Sequence, residues 1–182
     1  MGYKNLYQKP KQNEAVEQMY KAQEQFERDS FALALTNPGG GYSGFLDIID
    51  NYKGTAAANM ALYYAGISYL NLGKFDAAID YLKDYKPAGD VTPVMKFGAM
   101  GDAYSELADM GNAETYYKKA VSASDNDFLT AYYLKKLGMF YESQGNYEEA
   151  LAAYERIKNE FPKSPYGADI DKFIIRANNK KG

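Results

Sequence analysis

The chain has 182 residues, a net charge of -3, and neither cysteine nor histidine. That composition excludes thiolate and imidazole metal sites, cysteine nucleophiles and Ser-His-Asp triads, and it provides no basic field to draw the protein to nucleic acid. An apolar content of 46%, with 19 Tyr, 9 Phe and no Trp, can bury a core in which rings pack on small residues while hydroxyls reach the surface.

Residues 1–12, with Lys4, Lys9, Pro10 and Lys11, read as a flexible lead-in. They lack the apolar core of a signal peptide, and no apolar run in the chain approaches the ~20 residues that a membrane helix needs. A helix is predicted from a cap near Asn13, with Ala15, Met19, Ala22 and Phe26 along one face and Phe31 and Leu33 or Leu35 continuing it. It must end by Thr36, because Asn37-Pro38-Gly39-Gly40-Gly41 breaks any helix. Tyr42 to Tyr52 forms a short second helix that Gly54 closes. A phosphate-cradling loop would need Gly-Lys-Ser/Thr after a strand, whereas this glycine run leads from a helix to Tyr42-Ser43, so it reads as a hairpin turn.

From Thr55 the pattern becomes regular. Ala58 to Leu72 is a helix, Gly73-Lys74 a turn, and Phe75 to Tyr85 a second helix ended by Lys86-Pro87-Ala88-Gly89-Asp90. The next unit runs from Thr92 to about Ser124, with Met110 taking the place of the turn aromatic. A third unit follows over Ala131 to Pro162. Ile170, Phe173, Ile174 and Ala177 then lie at helical spacing in a closing helix, and Asn178 to Gly182 form a frayed tail.

Two markers hold these units in one register. Gly66, Gly101 and Gly138 are 35 and then 37 residues apart, and Ala78, Ala113 and Ala150 repeat those intervals. A mid-helix glycine costs about 1 kcal/mol relative to alanine, so its recurrence requires a packing return. The return is close approach: the second helix sets its alanine against the first, and the tyrosine three positions after the glycine covers the joint. In the same register Met19, Ala22, Gln23 and Phe26 match Leu62, Ala65, Gly66 and Tyr69, and Tyr42, Phe45, Ile49 and Tyr52 match Phe75, Ala78, Leu82 and Tyr85. The first hairpin is thus a degenerate unit.

A helix-turn-helix unit of this length, with these small-residue and aromatic slots, resembles the tetratricopeptide repeat, a module that cannot bury its apolar face alone. The resemblance implies an all-α fold: an α-solenoid, coiled as a right-handed superhelix of antiparallel helix pairs, with about nine helices. It places a single domain over 13–177, divided into a degenerate hairpin (13–54), repeats over 55–90, 92–125 and 127–162, and a capping helix over 165–177. The run SGFLDIIDNYKGTAAANMALYYAGISYLNLGKFDAAIDYLKDY resembles exported repeat domains of Bacteroides-type envelope proteins, which are similar to the ancillary, chaperone-like subunit of the Sec translocon. Glu160-Phe161-Pro162-Lys163-Ser164-Pro165-Tyr166 is similar to the inter-repeat segment of outer-membrane assembly lipoproteins and of the periplasmic cell-division coordinator.

These likenesses imply a non-enzymatic scaffold in the bacterial periplasm or on a membrane-anchored face of the envelope, tethered by an N-terminal segment outside this chain; a cytoplasmic location is the alternative. Its partner is a protein or peptide segment and not nucleic acid, with a self-associating homo-oligomer as the second reading. The ligand-facing positions of such repeats fall on Met60, Tyr63, Ile67 and Leu70, on Met95, Gly98, Asp102, Ser105 and Glu106, and on Tyr132, Lys135, Met139, Glu142 and Ser143, with Tyr20 and Glu24 extending the surface. The lysine-and-asparagine clamp that some relatives close on a C-terminal carboxylate is missing, its slots holding Tyr63 and Ile67. Met and Tyr mixed with Asp and Glu suit apolar or basic extended segments. Alternatively, Tyr63, Ile67 and Met139 are buried within the stack, which then fills its own groove.

No catalytic constellation is expected, nor any cofactor or metal. Asp47 with Asp50, and Asp169 with Asp171, are carboxylate pairs that helical spacing keeps out of a cleft. Asp125-Asn126-Asp127 resembles a calcium loop but lacks its glycine and distal glutamate, and reads as a turn capping the next helix.

Overall fold

The computed structural model describes residues 9–181, and the element boundaries follow from a recurrent piece of backbone chemistry. The first part contains α1 (Lys9–Glu27), α2 (Phe31–Thr36), α3 (Phe45–Asn51), α4 (Ala56–Asn71) and α5 (Phe75–Asp84). The second contains α6 (Thr92–Glu106), α7 (Met110–Ser122), α8 (Leu129–Ser143), α9 (Tyr147–Glu160) and α10 (Ile170–Lys181). Where a single domain was expected, the residues group into two compact units, one through Lys86 and one from Pro87. All secondary structure among the described residues is helical.

Four helices end in the same way. A residue with left-handed backbone follows the last turn, at Asp29, Gly73, Ala108 and Gly145, with φ of 58°, 71°, 57° and 76°. The next N–H then reaches back to a carbonyl five residues earlier: Ser30 to Gln25 (2.8 Å), Lys74 to Tyr69 (2.9 Å), Asp109 to Tyr104 (2.9 Å) and Asn146 to Tyr141 (2.9 Å). This satisfies carbonyls that a helix end leaves orphaned. In the second unit the slot is therefore filled by Ala108, not by the nearby Gly111. Met110 opens α7 half-buried against the core, as the turn aromatic was expected to do.

That shared turn corrects the reading of the first hairpin. The helix predicted to run to Thr36 stops at Glu27, which raises the count from about nine helices to ten among the described residues. By the turn bonds, Phe31-Ala32-Leu33-Ala34 corresponds to Phe75-Asp76-Ala77-Ala78, and both Ala34 and Ala78 are fully buried. The α2 helix is thus the start of the repeat's second helix. Pro38 lacks an N–H and Gly39, Gly40 and Gly41 are all left-handed, so the helix is interrupted and resumes as α3, where Tyr52 again matches Tyr85 as a buried C-cap. Gly44, which begins α3, lies so close to the Leu35 carbonyl that no side chain fits.

The ends of the chain also differ from expectation. Residues 1–8 of the expected lead-in and Gly182 of the expected tail lie outside the described residues. Lys9 to Gln12 are helical, so the helix starts ahead of Asn13; Pro10 is tolerated because a first-turn N–H has no intrahelical partner. The closing helix, expected over 165–177, starts at Ile170 and continues past Ala177 to Lys181, with Lys180 and Lys181 in its last turn, where cations favour the helix dipole.

The mid-helix glycines are seats. Gly66 faces Leu82, Gly101 faces Tyr117 and Gly138 faces Tyr154, in each case the residue four positions after the register alanine. The tyrosines expected to cover the joint instead stack one position aside: Tyr69 on Tyr81 (5.3 Å) and Tyr104 on Tyr116 (5.3 Å). In the third unit that position is Ala153, and the Tyr141 hydroxyl donates to Glu114 of α7 at 2.9 Å. The core of the first unit joins Ala15, Met19 and Ala22 of α1 to Phe45 and Ile48 of α3 and the alanines of α4. Thr55 fixes the start of α4, its hydroxyl accepting from the Ala58 N–H at 3.1 Å.

Candidate functional site

The α8 helix has two faces of different character. Leu134, Leu137, Gly138 and Tyr141 are buried among α7, α9 and α10. On the other side Tyr132, Lys135, Lys136, Met139, Phe140 and Ser143 line a cavity of about 410 Å³, which Ser105 of α6, Tyr117 of α7 and Tyr166 complete. Met139 is 48% exposed there, so at this point the groove is open among the described residues. Tyr132 lies 4.9 Å from Tyr133 and 5.6 Å from Tyr166, ring to ring.

The charges around this cavity differ from those the sequence suggests. Asp102 Oδ1 accepts from the Tyr117 hydroxyl at 2.7 Å and from Lys136 Nζ at 2.6 Å. Burial, and then the Asp102 carboxylate, push the Tyr117 phenol well above its ordinary range. Glu142, expected to face a ligand, points instead at α9 and α10. Its side chain is 8% exposed, accepts from the Tyr154 hydroxyl at 3.1 Å and is gripped by Arg176 through both carboxylate oxygens. Glu142 stands four residues after Gly138, one turn further along the packed stripe of α8. In α1, Glu24 is likewise held by Lys21 at 2.6 Å.

The remaining predicted positions are scattered. Tyr20 is 59% exposed on α1. Met60, Tyr63, Ile67 and Leu70 are half-buried along α4. Tyr63 packs its ring 5.4 Å from Tyr85 and 6.0 Å from Tyr64, and burial raises its phenol pKa above the ordinary value. The Tyr85 hydroxyl donates to Met60 Sδ at 3.8 Å. Of the three residues expected to be buried within the stack, Tyr63 and Ile67 are half-buried and Met139 is exposed. Met95 is half-buried and Glu106 exposed, and neither lines the α8 cavity. Gly98, expected to face a ligand, is covered by the Tyr133 ring, which leaves no space for even a methyl group.

Sequence reasoning missed Lys136, Tyr117, Phe140 and Tyr166 of the lining. For Tyr166 there was a signal: an aromatic directly after Pro162-Lys163-Ser164-Pro165, a segment too rich in proline to be helical. The expected capping turn is present, with Asn126 Oδ1 accepting from the N–H groups of Phe128 (3.1 Å) and Leu129 (2.9 Å). Among the described residues no group of carboxylates is placed to hold a metal ion, and no helix is long and apolar enough to cross a membrane.

The helix pairs, their turns and their glycine seats define a class, the tetratricopeptide solenoid. Two family models described as tetratricopeptide repeat match the chain, one over residues 60–86 and one over 95–158, and the chain is a tetratricopeptide-repeat protein over those segments. Among solved structures, nearly identical TPR-like repeats assigned to a kinesin light chain of Podosopora anserina are similar at a TM-score of 0.69 and 12% identity, covering 92% of this chain and 86% of that one. The MamA protein is similar at a TM-score of 0.64 and 18% identity, covering 92% and 91%. At these identities the likeness is one of fold, and it establishes the α-solenoid class. No curated protein matches the chain.

Proposed function

We propose that this protein is a non-catalytic interaction scaffold that holds an extended segment of a partner protein along the open face of α8. Tetratricopeptide repeats serve in general as protein-binding modules, and this chain carries them. The observation that carries the reading is the split character of α8. One side is locked into the core, while Tyr132, Lys135 and Met139 stand together around an open cavity. A rigid helix with an exposed methionine amid aromatic rings offers adaptable apolar contact without refolding. The likeness to envelope repeat proteins supports a site of action in the bacterial cell envelope, in translocation, chaperone-like holding or assembly.

A photo-crosslinking side chain placed at Met139 tests this, with Ala152, exposed on α9, as the control position. The expected result is a discrete protein adduct from Met139 and none from Ala152 in envelope preparations. Equal labelling at both positions, or at neither, counts against it.

Self-association is the second reading, and a specific observation favours it: Val16 and Tyr20, 49% and 59% exposed, lie one turn apart on α1. Sedimentation showing a monomer at every concentration would remove it.

A further inference from the structure

Two of the acidic groups that made the groove look suited to basic segments are already consumed, and a third, Glu106, is exposed outside the cavity lining. Asp102 is neutralised by Lys136 and hydrogen-bonded by Tyr117, and Glu142 is turned to Arg176 and Tyr154. The cavity lining holds two cations, Lys135 and Lys136, and no anion. Lys136 belongs to Asp102, which leaves Lys135. Its Nζ lies 4.5 Å from the centre of the Phe173 ring and 5.6 Å from that of Tyr166, and among the described residues no carboxylate lies within ion-pair reach of it. Asp169 feels its charge, but accepts its hydrogen bond from Lys172 at 2.8 Å.

We propose that the segment held along α8 is acidic and apolar: a large aliphatic or aromatic side chain enters the cavity beside Met139, and an adjacent aspartate or glutamate meets Lys135. This rests on the scaffold reading above and reverses the sign of partner that the sequence suggests. The dimensions fit an extended segment. From Tyr132 to Ser143 the helix advances about 16 Å at 1.5 Å per residue, the reach of about five extended residues. A cavity of about 410 Å³ accommodates one large side chain with space to adjust, and the thioether of Met139 supplies the adjustment. Lysine over two rings is fixed in position yet keeps N–H groups to donate to a carboxylate. A basic segment would bring a second cation against Lys135 in a partly desolvated pocket, where like-charge contact is most unfavourable.

The test uses the full chain and two fluorescein-labelled, end-blocked pentapeptides, Leu-Glu-Phe-Glu-Leu and Leu-Lys-Phe-Lys-Leu, read by fluorescence anisotropy. The acidic peptide is expected to bind tighter by about tenfold at low salt, with the gap closing as salt rises. Lys135→Glu is expected to weaken the acidic peptide about tenfold, and Lys135→Arg to retain it, with unchanged circular dichroism for both variants. The proposal is overturned if the lysine peptide binds as well or better, or if Lys135→Glu leaves the acidic peptide unaffected. Lysine-peptide binding that Met139→Asp abolishes would overturn the acidic partner while upholding the α8 scaffold. Binding of neither peptide also overturns it, and the Met139 crosslinks then decide the scaffold reading separately.

Discussion

Gly138 and Ala108 sit at neighbouring slots of the repeat and illustrate opposite uses of a missing side chain. Gly138 is helical, and a methyl group there would enter the Tyr154 ring. Helix propensity alone would have Gly138→Ala gain about 1 kcal/mol. Overpacking wins, and we expect a net loss of about 1–2 kcal/mol in urea denaturation. Ala108 carries φ 57° in a slot that is glycine at Gly73 and Gly145. There Ala108→Gly relieves left-handed strain that outweighs the added freedom of the unfolded chain, and should stabilise by about 0.5–1 kcal/mol. The first slot was legible in the sequence, because the glycine and alanine markers recur together. The second was not: Gly111 lies close by and looks like the turn glycine, and only the bond from the Asp109 N–H to the Tyr104 carbonyl shows that the turn is complete without it.

At the level of elements, α10 is held to the repeat by more than its apolar stripe. Ile170, Phe173 and Ala177 are buried against α9, as the helical spacing predicts. The contact that the spacing could not reveal is Arg176 on Glu142, 34 residues away, which closes α10 over the end of α8. Tyr154 donates to the same carboxylate, so Arg176→Gln leaves an enclosed charge with one neutral donor. Arg176 itself is 45% exposed, which reduces the loss to about 1 kcal/mol, and the thermal midpoint should become more salt-independent as it falls. The same pairing explains why the candidate site was only half legible. Tyr132, Lys135 and Met139 could be placed by the ligand-facing positions that the repeat resemblance implies, but whether Glu142 faces a partner or a neighbour depends on a helix that closes from elsewhere in the chain.

Across the whole molecule, the abundance of tyrosine sets the pH response. Tyr63, Tyr117 and Tyr154 all have phenols raised above the ordinary value of 10.0, burial being the largest cause in each. The folded state therefore keeps protons that the unfolded chain releases above that pH, so their contribution is full below pH 10 and is lost as pH rises beyond it. In the other direction Glu114 is held below its ordinary 4.5 by Lys118 and Tyr141, and Asp109 below 3.8 by Asn112; their contribution is lost as pH falls through that range. With no histidine, thermal midpoints should be flat between pH 6 and 9 and fall on both sides, and Tyr117→Phe should flatten the alkaline limb. The repeat register, and with it the fold class, was readable because periodic small residues have few other physical uses. The register of the first hairpin was misread because an insertion moves aromatic residues into false alignment: Phe31 to Tyr52 spans 21 positions where Phe75 to Tyr85 spans 10.

That insertion leaves the second helix of the first repeat in two pieces, and the six residues of α2 are too few to hold themselves by backbone bonding alone. Amide hydrogens register this as time. The N–H groups of α2 should exchange with deuterated solvent by local opening, orders of magnitude sooner than those at equivalent places in α5, while Ala15 and Met19 beside them stay protected until the unit unfolds. Uniform protection across α2 and α5 would mean that the break in the helix is mechanically silent.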